Sequence, residues 1–169
     1  RGALAGPVIA AAVILKKNID GLKDSKELTA KKRFELSEKI LKNSYYAFGQ
    51  ATNIEIDKIN ILNASLLAMK RAILKLPVKP TLVLVDGVYK PDLNVQMEAI
   101  VSGDSLKKEI SAASIIAKVY RDNLMLNYDK EFPAYSFKDN KGYGTKKHLD
   151  SIKIYGSTEI HRKSFKGVS

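Results

Sequence analysis

Residues 81–90 read TLVLVDGVYK: a short apolar, β-prone run, 81–85, that ends at the acid Asp86 and then Gly87. An apolar run of this length predicts a strand that is buried on both faces. Burial disfavours a charged carboxylate, so the position of Asp86 at the end of the strand needs a reason. Asp-Gly is also a common turn dipeptide, and Asp86 on its own is open to that interpretation.

The residues on either side of this run predict strands and helices in turn. Strands are expected at 8–15, 45–51, 81–85 and 95–101, and helices at 30–42 and from about 105 to about 130. Thr29 is the expected N-cap of the first helix. The tail from Phe132 onward shows little regular periodicity. This order of elements predicts an α/β fold with a mixed sheet flanked by helices, in one domain covering residues 1–169.

One further helix is predicted from its apolar spacing, and Pro77 and Pro80 end it. Its expected buried face consists of residues at 4-3-4-3 spacing, namely Leu62, Leu66, Met69, Ile73 and Leu76.

Composition and charge restrict the class of protein. The chain has 169 residues, a size that suits one domain with a core, and a net charge of +11. The positive charge favours a polyanionic partner such as nucleic acid. Cysteine is absent, which excludes disulfides and a thiol nucleophile and suits a cytoplasmic location. The longest apolar run, 8–15, is too short to span a bilayer and has no charged leader, so we expect no membrane segment and no signal peptide.

Three acids are the candidate catalytic residues. Asp86 stands at the carboxyl end of a strand, where open α/β sheets bind ligands. Asp104, in SGDS, precedes the long helix and is also a good N-cap. Asp122, in YRDN, lies within that helix and is also explained as a solvated position one turn from Lys118. If the whole interval were helical, Asp104 and Asp122 would lie about 27 Å apart, so only one could join Asp86 at an ion. Asp104 is the better placed.

Clustered carboxylates repel one another and need a cation to stay ionised together. Oxygen ligands suit Mg²⁺ or Mn²⁺. Together with the basic charge and the lack of a Cys or Ser/His nucleophile arrangement, these acids favour phosphodiester hydrolysis. The expected mechanism is in-line displacement by water with two metal ions.

These residues belong to a longer series of motifs. The chain contains RGALAGPVIAAAVIL, DSKELT, NILNASLLAMKRA, VLVDG, SGDSLKKEISAASIIAKVYRD, NKGYGTKKH and HRKSF. In this order and spacing the motifs resemble bacterial ribonuclease HII, the type 2 ribonuclease H, over essentially the whole chain. The resemblance implies an RNase H-like fold. It also implies a metal-dependent endonuclease that cleaves the RNA strand of RNA–DNA hybrids and cleaves 5′ to ribonucleotides embedded in duplex DNA.

The resemblance also assigns residues. The family uses four acids, of which Asp86 matches the third and Asp104 the fourth, both as metal ligands, while Asp122 matches a supporting acid. The first two are an adjacent Asp-Glu pair on a strand that precedes a Gly-Arg-Gly motif, and Arg1 and Gly2 match the last two residues of that motif. A chain without the pair would lack half of its metal ligands, and we would expect little activity from it.

Residues for substrate binding follow from the same resemblance. Arg1 and Gly2 match the backbone segment that lies close to the ribose, where glycine permits close approach. Tyr143, in KGYGT, matches the tyrosine that contacts the 2′-hydroxyl, the group that distinguishes RNA from DNA; without the resemblance it is equally a turn aromatic. Lys26 and Lys141 are candidate phosphate contacts, although exposed lysines are more often simply solvated.

The chain has two histidines, and its motifs leave two alternative functions open. His148 and His161 are expected to be structural or to contact phosphate. The alternatives to a ribonuclease HII are a non-catalytic binder of RNA–DNA hybrids and a type 3 ribonuclease H, against which KGYGT argues. No Gly-rich phosphate loop is present, which disfavours a nucleotide-binding enzyme. We expect a monomer.

Overall fold

Four strands and six α-helices, with one 3₁₀ turn, form the part of the chain that the computed structural model describes, residues 1–168. In chain order they are β1 (Val8–Leu15), α1 (Ala30–Lys42), β2 (Ser44–Ala51), α2 (Asn53–Leu74), β3 (Leu82–Asp86), β4 (Gln96–Ile100), α3 (Gly103–Leu106), α4 (Lys108–Glu131), the 3₁₀ turn Pro133–Tyr135, α5 (Phe137–Asn140) and α6 (Lys146–Tyr155). The predicted α/β class is therefore confirmed.

The described residues group into two units. Unit 1 consists of Arg1–Val8, Ala51–Ser65 and the chain from Tyr120 onward, and unit 2 consists of Ile9–Gln50 and Leu66–Val119. Each unit has its own apolar core, as expected when burial of apolar area is the main driving force for folding. The prediction of a single domain stays a prediction.

The two cores use different side chains. The core of unit 1 is rich in aromatic residues and includes Leu4, Ala5, Met125, Tyr135, Phe137, Ile152 and Ile160. The core of unit 2 is aliphatic and consists of Ile19, Leu36, Ile40, Ala112, Ile115 and Ile116.

Local signals that the sequence carries are used as expected in two helices. The Thr29 hydroxyl accepts a hydrogen bond of 3.2 Å from the backbone N–H of Lys32 and caps α1. Thr145 caps α6 in the same way, through the N–H of His148. The tail from Phe132 onward showed little regular periodicity, and α6 is a regular helix that this pattern did not locate. Thr145 as a possible N-cap was the signal that would have located this helix.

Strand pairing decides where the acids lie. Within residues 1–168, β1 pairs with β2 and β3 pairs with β4. β3 and β4 are parallel, with Leu82 opposite Gln96 and Asp86 opposite Ile100. Parallel neighbours end at the same edge of a sheet. The end of β3 and the turn that follows β4 are therefore neighbours.

The predicted burial of β3 on both faces is wrong. Only Val85 is buried in this strand, while Leu82 is 44% exposed and Asp86 is exposed. Among the described residues β3 pairs with β4 alone, and Val83 and Leu84 are only half-buried. The desolvation cost that the sequence implied for Asp86 therefore does not arise.

Helix α2 is kinked and packs closely against β2. Asn60 has φ 67° and ψ 167°, which interrupts the helical backbone. The apolar face that was predicted for this helix is only half-buried. In the part of α2 that belongs to unit 2, the buried residues are Ala68 and Ala72. A Cβ placed on Gly49 of β2 would come within 1.9 Å of the carbonyl oxygen of Ala68. Small residues on both elements therefore allow strand and helix backbones to touch. No helix within residues 1–168 is long and apolar enough to cross a bilayer.

Candidate active site

A backbone hydrogen bond links Asp86, a predicted metal ligand of unit 2, to the turn that carries the other one, Asp104. Asp86 ends β3, and its Oδ1 accepts a hydrogen bond of 3.0 Å from the N–H of Gly103, at the start of α3. The N–H of Gly87 donates to the carbonyl oxygen of Ile100 at 2.9 Å and closes the edge of the strand pair. The Asp86 carboxylate thus holds the turn that carries Asp104.

The turn at Gly103 packs closely against the side chain of Ile110. A Cβ on Gly103 would meet Ile110 Cδ1 at 2.5 Å and Asp86 Oδ1 at 3.5 Å. The first distance is shorter than a van der Waals contact and the second is an ordinary one. A side chain at position 103 would therefore displace Ile110 rather than Asp86.

Asp104 lies in the first turn of a separate short helix. Lys107, with φ −126° and ψ 124°, separates α3 from α4, so the predicted continuous helix from about Ser105 is wrong. The separation of about 27 Å between Asp104 and Asp122 assumed one continuous helix, so it does not apply. Asp104 is 8% exposed, and Asp122 lies on α4 within unit 1.

A third carboxylate accompanies Asp86 and Asp104. Burial raises the pKa of Asp104, and the negative charges of Asp86 and Asp24 raise it further, while Lys26 acts in the opposite direction. The Lys26 ammonium lies 3.7 Å from Asp24 Oδ2 and 4.0 Å from Asp104 Oδ2. It is 82% exposed, so its pairing with the acids is weak and leaves it open to an anion. The sequence placed Asp24 in the same loop as Lys26 but gave no signal that it joins the acids.

The acid cluster fits part of the coordination shell of a divalent cation. No group of three or more His, Cys, Asp or Glu within residues 1–168 is arranged to hold a metal ion by itself. Mg²⁺ typically keeps several waters and is bound through one or two carboxylates together with substrate phosphates. Asp86 and Asp104 supply that number of carboxylates, and a cation between them would offset the repulsion felt by Asp104.

Unit 1 places the predicted substrate tyrosine on an ordered loop. Tyr143 is 43% exposed, and its N–H donates to the carbonyl oxygen of Asn140 at 2.9 Å. The Arg121 guanidinium lies 5.8 Å from the centre of its ring, within the range of a cation–π contact. The backbone of Tyr143 is therefore fixed, while nearly half of its surface remains available to a ligand.

The glycines beside Tyr143 approach the protein itself. A Cβ on Gly142, which has φ 84°, would lie 2.7 Å from the carbonyl oxygen of Ala5. A Cβ on Gly144 would lie 3.0 Å from Leu4 Cδ1. The structural reason for both glycines is thus close packing against the N-terminal segment.

Two arginines hold that segment. Arg162 is fully buried and donates to the carbonyl oxygens of Arg1, Gly6 and Pro7 at 2.6, 2.9 and 3.3 Å. Burial, and after it the positive charge of Arg121, lowers the pKa of Arg162 to about 10. The backbone of the predicted ribose-contacting segment is therefore held rigidly from one side.

Arg121 makes a similar set of contacts, to the carbonyl oxygens of Pro7, Lys141 and Ala5 at 3.2, 2.8 and 3.0 Å. Burial lowers the pKa of Arg121, and the charges of Tyr143 and Asp122 oppose that effect. The guanidinium of Arg121 thus bonds both to the N-terminal segment, residues 1–7, and to the loop that contains Lys141. Side chains of this kind give no burial signal in a sequence, because arginine is usually exposed.

The remaining predicted contacts differ in their surroundings. The Lys141 ammonium donates to the carbonyl oxygen of Lys138. A Cβ on Gly2 would meet no atom of the described residues within 4 Å.

His148 and His161 are both fully buried and lie side by side, with their Nε2 atoms 3.0 Å apart. Burial lowers the pKa of His148. Burial, and after it the neighbouring His148, lowers the pKa of His161 from 6.5 to about 4. Complete burial favours the structural interpretation over phosphate contact.

The histidine pair predicts how stability depends on pH. As the pH falls below 6.5 the unfolded chain takes up a proton at position 161 before the folded chain does, so stability is complete above 6.5 and is lost towards pH 4. We expect the free energy of unfolding in urea to fall by about 2 kcal/mol between about pH 7 and about pH 5. His161→Gln should show a shallower dependence. A constant free energy of unfolding in the unmodified chain would contradict the burial of neutral histidines.

Comparison with known proteins agrees with these features. A family model described as Ribonuclease HII matches residues 1–168. Ribonuclease HII of Pelagibacter ubique is 58% identical to this chain and the match covers all of the chain and 92% of that protein. The Borrelia recurrentis enzyme of the same name is 55% identical, over 98% and 94%.

A solved structure shows the same fold. The crystal structure of ribonuclease H2 from Pyrococcus horikoshii superposes with a TM-score of 0.79 at 28% identity, covering 99% of this chain and 90% of that one. The RNase H-like fold expected from the sequence motifs is confirmed. Since the family model spans residues 1–168 and both relatives are more than half identical, this chain belongs to the ribonuclease HII family and is a hydrolase of the ribonuclease H class.

Proposed function

We propose that this ribonuclease H cleaves the RNA strand of RNA–DNA hybrids and cleaves 5′ to ribonucleotides embedded in duplex DNA, with Mg²⁺ or Mn²⁺ as cofactor. The observation that carries the proposal is the pairing of Asp86 and Asp104 at one edge of the parallel β3–β4 pair, linked by the Gly103 N–H. We further propose a cytoplasmic monomer, in line with the absence of cysteine.

The acids have distinct tasks in this proposal. Asp86 is exposed and is pre-oriented by its hydrogen bond from Gly103, and its second oxygen is proposed to bind a cation. Asp104 is buried beside two further negative charges, so its ionised form needs a positive partner. Two divalent cations, when bound, would activate a water for in-line attack and neutralise charge on the scissile phosphate. Asp122 is proposed to support the site without ligating an ion.

Substrate binding rests on charge and on the rigid N-terminal segment. The net charge of +11 favours association with a polyanionic duplex. Lys26, the exposed cation next to Asp104, is proposed to contact a phosphate, as is Lys141. Arg1 and Gly2 are proposed to approach the ribose through their backbone, which agrees with the open space around Gly2. Tyr143 is proposed to contact the 2′-hydroxyl, since a phenol both stacks and hydrogen-bonds.

A cleavage assay tests this function. Because the Asp-Glu pair of the family precedes the position of Arg1, cleavage experiments use a chain that includes that pair. Three duplexes are compared: an RNA–DNA hybrid, duplex DNA with one ribonucleotide, and the matched all-DNA duplex. We expect cleavage of the first two, at the 5′ side of the ribonucleotide in the second, only when Mg²⁺ or Mn²⁺ is present. Cleavage of the all-DNA duplex, or cleavage in a metal chelator, would refute the proposal.

A further inference from the structure

An unbroken series of hydrogen bonds runs through the core of unit 1 and ends at the backbone of Tyr143. It connects Thr158, His161, His148 and the carbonyl oxygen of Tyr143. We propose that this relay is a positioning device: the two neutral histidines fix the Tyr143 peptide and thereby set how selectively the tyrosine ring reads a ribose. The inference rests on the proposed role of Tyr143.

The direction of the relay follows from its two ends. The N–H of Thr158 can only donate, so Nδ1 of His161, at 3.0 Å, accepts. A neutral His161 then carries its proton on Nε2 and donates to Nε2 of His148 at 3.0 Å. His148 in turn carries its proton on Nδ1 and donates to the carbonyl oxygen of Tyr143 at 2.9 Å. One pair of tautomers thus satisfies every nitrogen of both rings.

The surrounding aromatic residues hold the rings in place. The Tyr135 ring lies 5.1 Å from His161 and the Phe137 ring lies 5.3 Å from His148, both measured between ring centres. All four rings belong to fully or almost fully buried residues. A ring packed in this way has little freedom to rotate. The hydrogen bonds of the relay therefore hold the Tyr143 peptide in one orientation.

Tyr143 needs such an anchor because of its neighbours. It stands between Gly142 and Gly144, and glycine restricts the backbone less than any other residue. The hydrogen bond of its N–H to Asn140 fixes one side of the residue. Its carbonyl oxygen accepts two hydrogen bonds, one of 2.8 Å from the N–H of Thr145 and one of 2.9 Å from His148. The bond from Thr145 closes the local turn, while the bond from His148 ties the same peptide to the buried core of unit 1. Without the bond from His148, the turn that carries the exposed ring would lose this link to the core.

Two substitutions at one position separate anchoring from packing. His148→Asn keeps an amide N–H at the place of Nδ1 and can still donate to Tyr143, while it loses the link to His161. His148→Gln reaches the place of Nε2 and keeps that link, while it loses the donor to Tyr143. The measured quantity is the ratio of kcat/KM on the single-ribonucleotide duplex to kcat/KM on the RNA–DNA hybrid. We expect His148→Gln to lower this ratio by about five- to tenfold, the size of one lost hydrogen bond, and His148→Asn to lower it by less.

A double-mutant cycle identifies the target of the relay. In a Tyr143→Ala background, His148→Gln should cause no further loss of the ratio, because the ring that the relay positions is gone. Equal losses on both substrates, or a loss that adds to that of Tyr143→Ala, would overturn the inference while leaving the proposed function intact. If Tyr143→Ala itself left the ratio unchanged, the proposed role of Tyr143 would be wrong and the relay would have nothing to position.

A spectroscopic measurement tests the relay in the unmodified chain, even if a variant fails to fold. Nitrogen NMR of the imidazole rings should show the proton of His161 on Nε2 and the proton of His148 on Nδ1. The opposite tautomer at either ring, or a charged ring at neutral pH, would overturn the relay regardless of any cleavage result.

Discussion

Replacing Asp86 by Asn is expected to lower kcat on an RNA–DNA hybrid by roughly a thousandfold, which corresponds to about 4 kcal/mol of barrier. The amide removes the negative charge that a divalent cation requires, yet its oxygen can still accept the hydrogen bond from Gly103 that measures 3.0 Å in the native chain. The turn at Asp104 should therefore stay in place, and the Kd for the hybrid should change by less than about threefold because binding depends on phosphate contacts.

Asp92→Asn is the matched control for this prediction. Asp92 lies in the same unit, is exposed, and forms an ion pair with Lys70 at 3.7 Å. An exposed pair of this kind contributes little, so the control should keep normal turnover. Near-normal cleavage by Asp86→Asn in saturating Mg²⁺ would show that Asp86 is the turn residue that the Asp-Gly dipeptide also allows.

The second large effect is expected at Tyr143. Tyr143→Ala should lower kcat/KM on a duplex with one embedded ribonucleotide by at least about tenfold more than on an all-RNA hybrid strand, since a single ribose offers one 2′-hydroxyl and no neighbour to replace it. Tyr143→Phe keeps the ring and loses only the hydroxyl, so it should recover the part of kcat/KM that depends on stacking. The Kd for both duplexes should stay close to the native value.

Tyr89→Ala serves as the control, because Tyr89 is also exposed but belongs to unit 2. An equal loss on both substrates with a matching loss of affinity would make Tyr143 a general binding or structural residue. No loss on either substrate would leave its match to the family tyrosine without functional meaning.

The features that local patterns control were predictable. The Thr29 cap and the bounds of α1 and β1 follow from residue types within a few positions of each other. The meeting of Asp86 and Asp104 was also within reach, since both acids follow β-prone runs and the carboxyl ends of parallel strands share an edge. The family match in the motifs then gave these acids their role.

Features that depend on distant neighbours were not predictable. Nothing in the residues around Lys107 signals a break, because the segment from Leu106 to Ile110 consists of good helix formers. The exposure of β3 depends on which strands lie beside it. Arg162 can be buried because carbonyl groups more than a hundred positions earlier in the chain accept its hydrogen bonds, as at Gly6.

The central claim, that Asp86 and Asp104 hold a divalent cation and Asp122 does not, is tested most directly by titrating Mn²⁺ into matched variants by calorimetry. The chain again includes the family's Asp-Glu pair, and Asp104→Asn is compared with Asp122→Asn. Losing the buried carboxylate of the pair should weaken Mn²⁺ affinity by at least about tenfold, or about 1.4 kcal/mol, for Asp104→Asn. Asp122→Asn should stay within about twofold of the native affinity. A larger loss for Asp122→Asn than for Asp104→Asn would contradict the account.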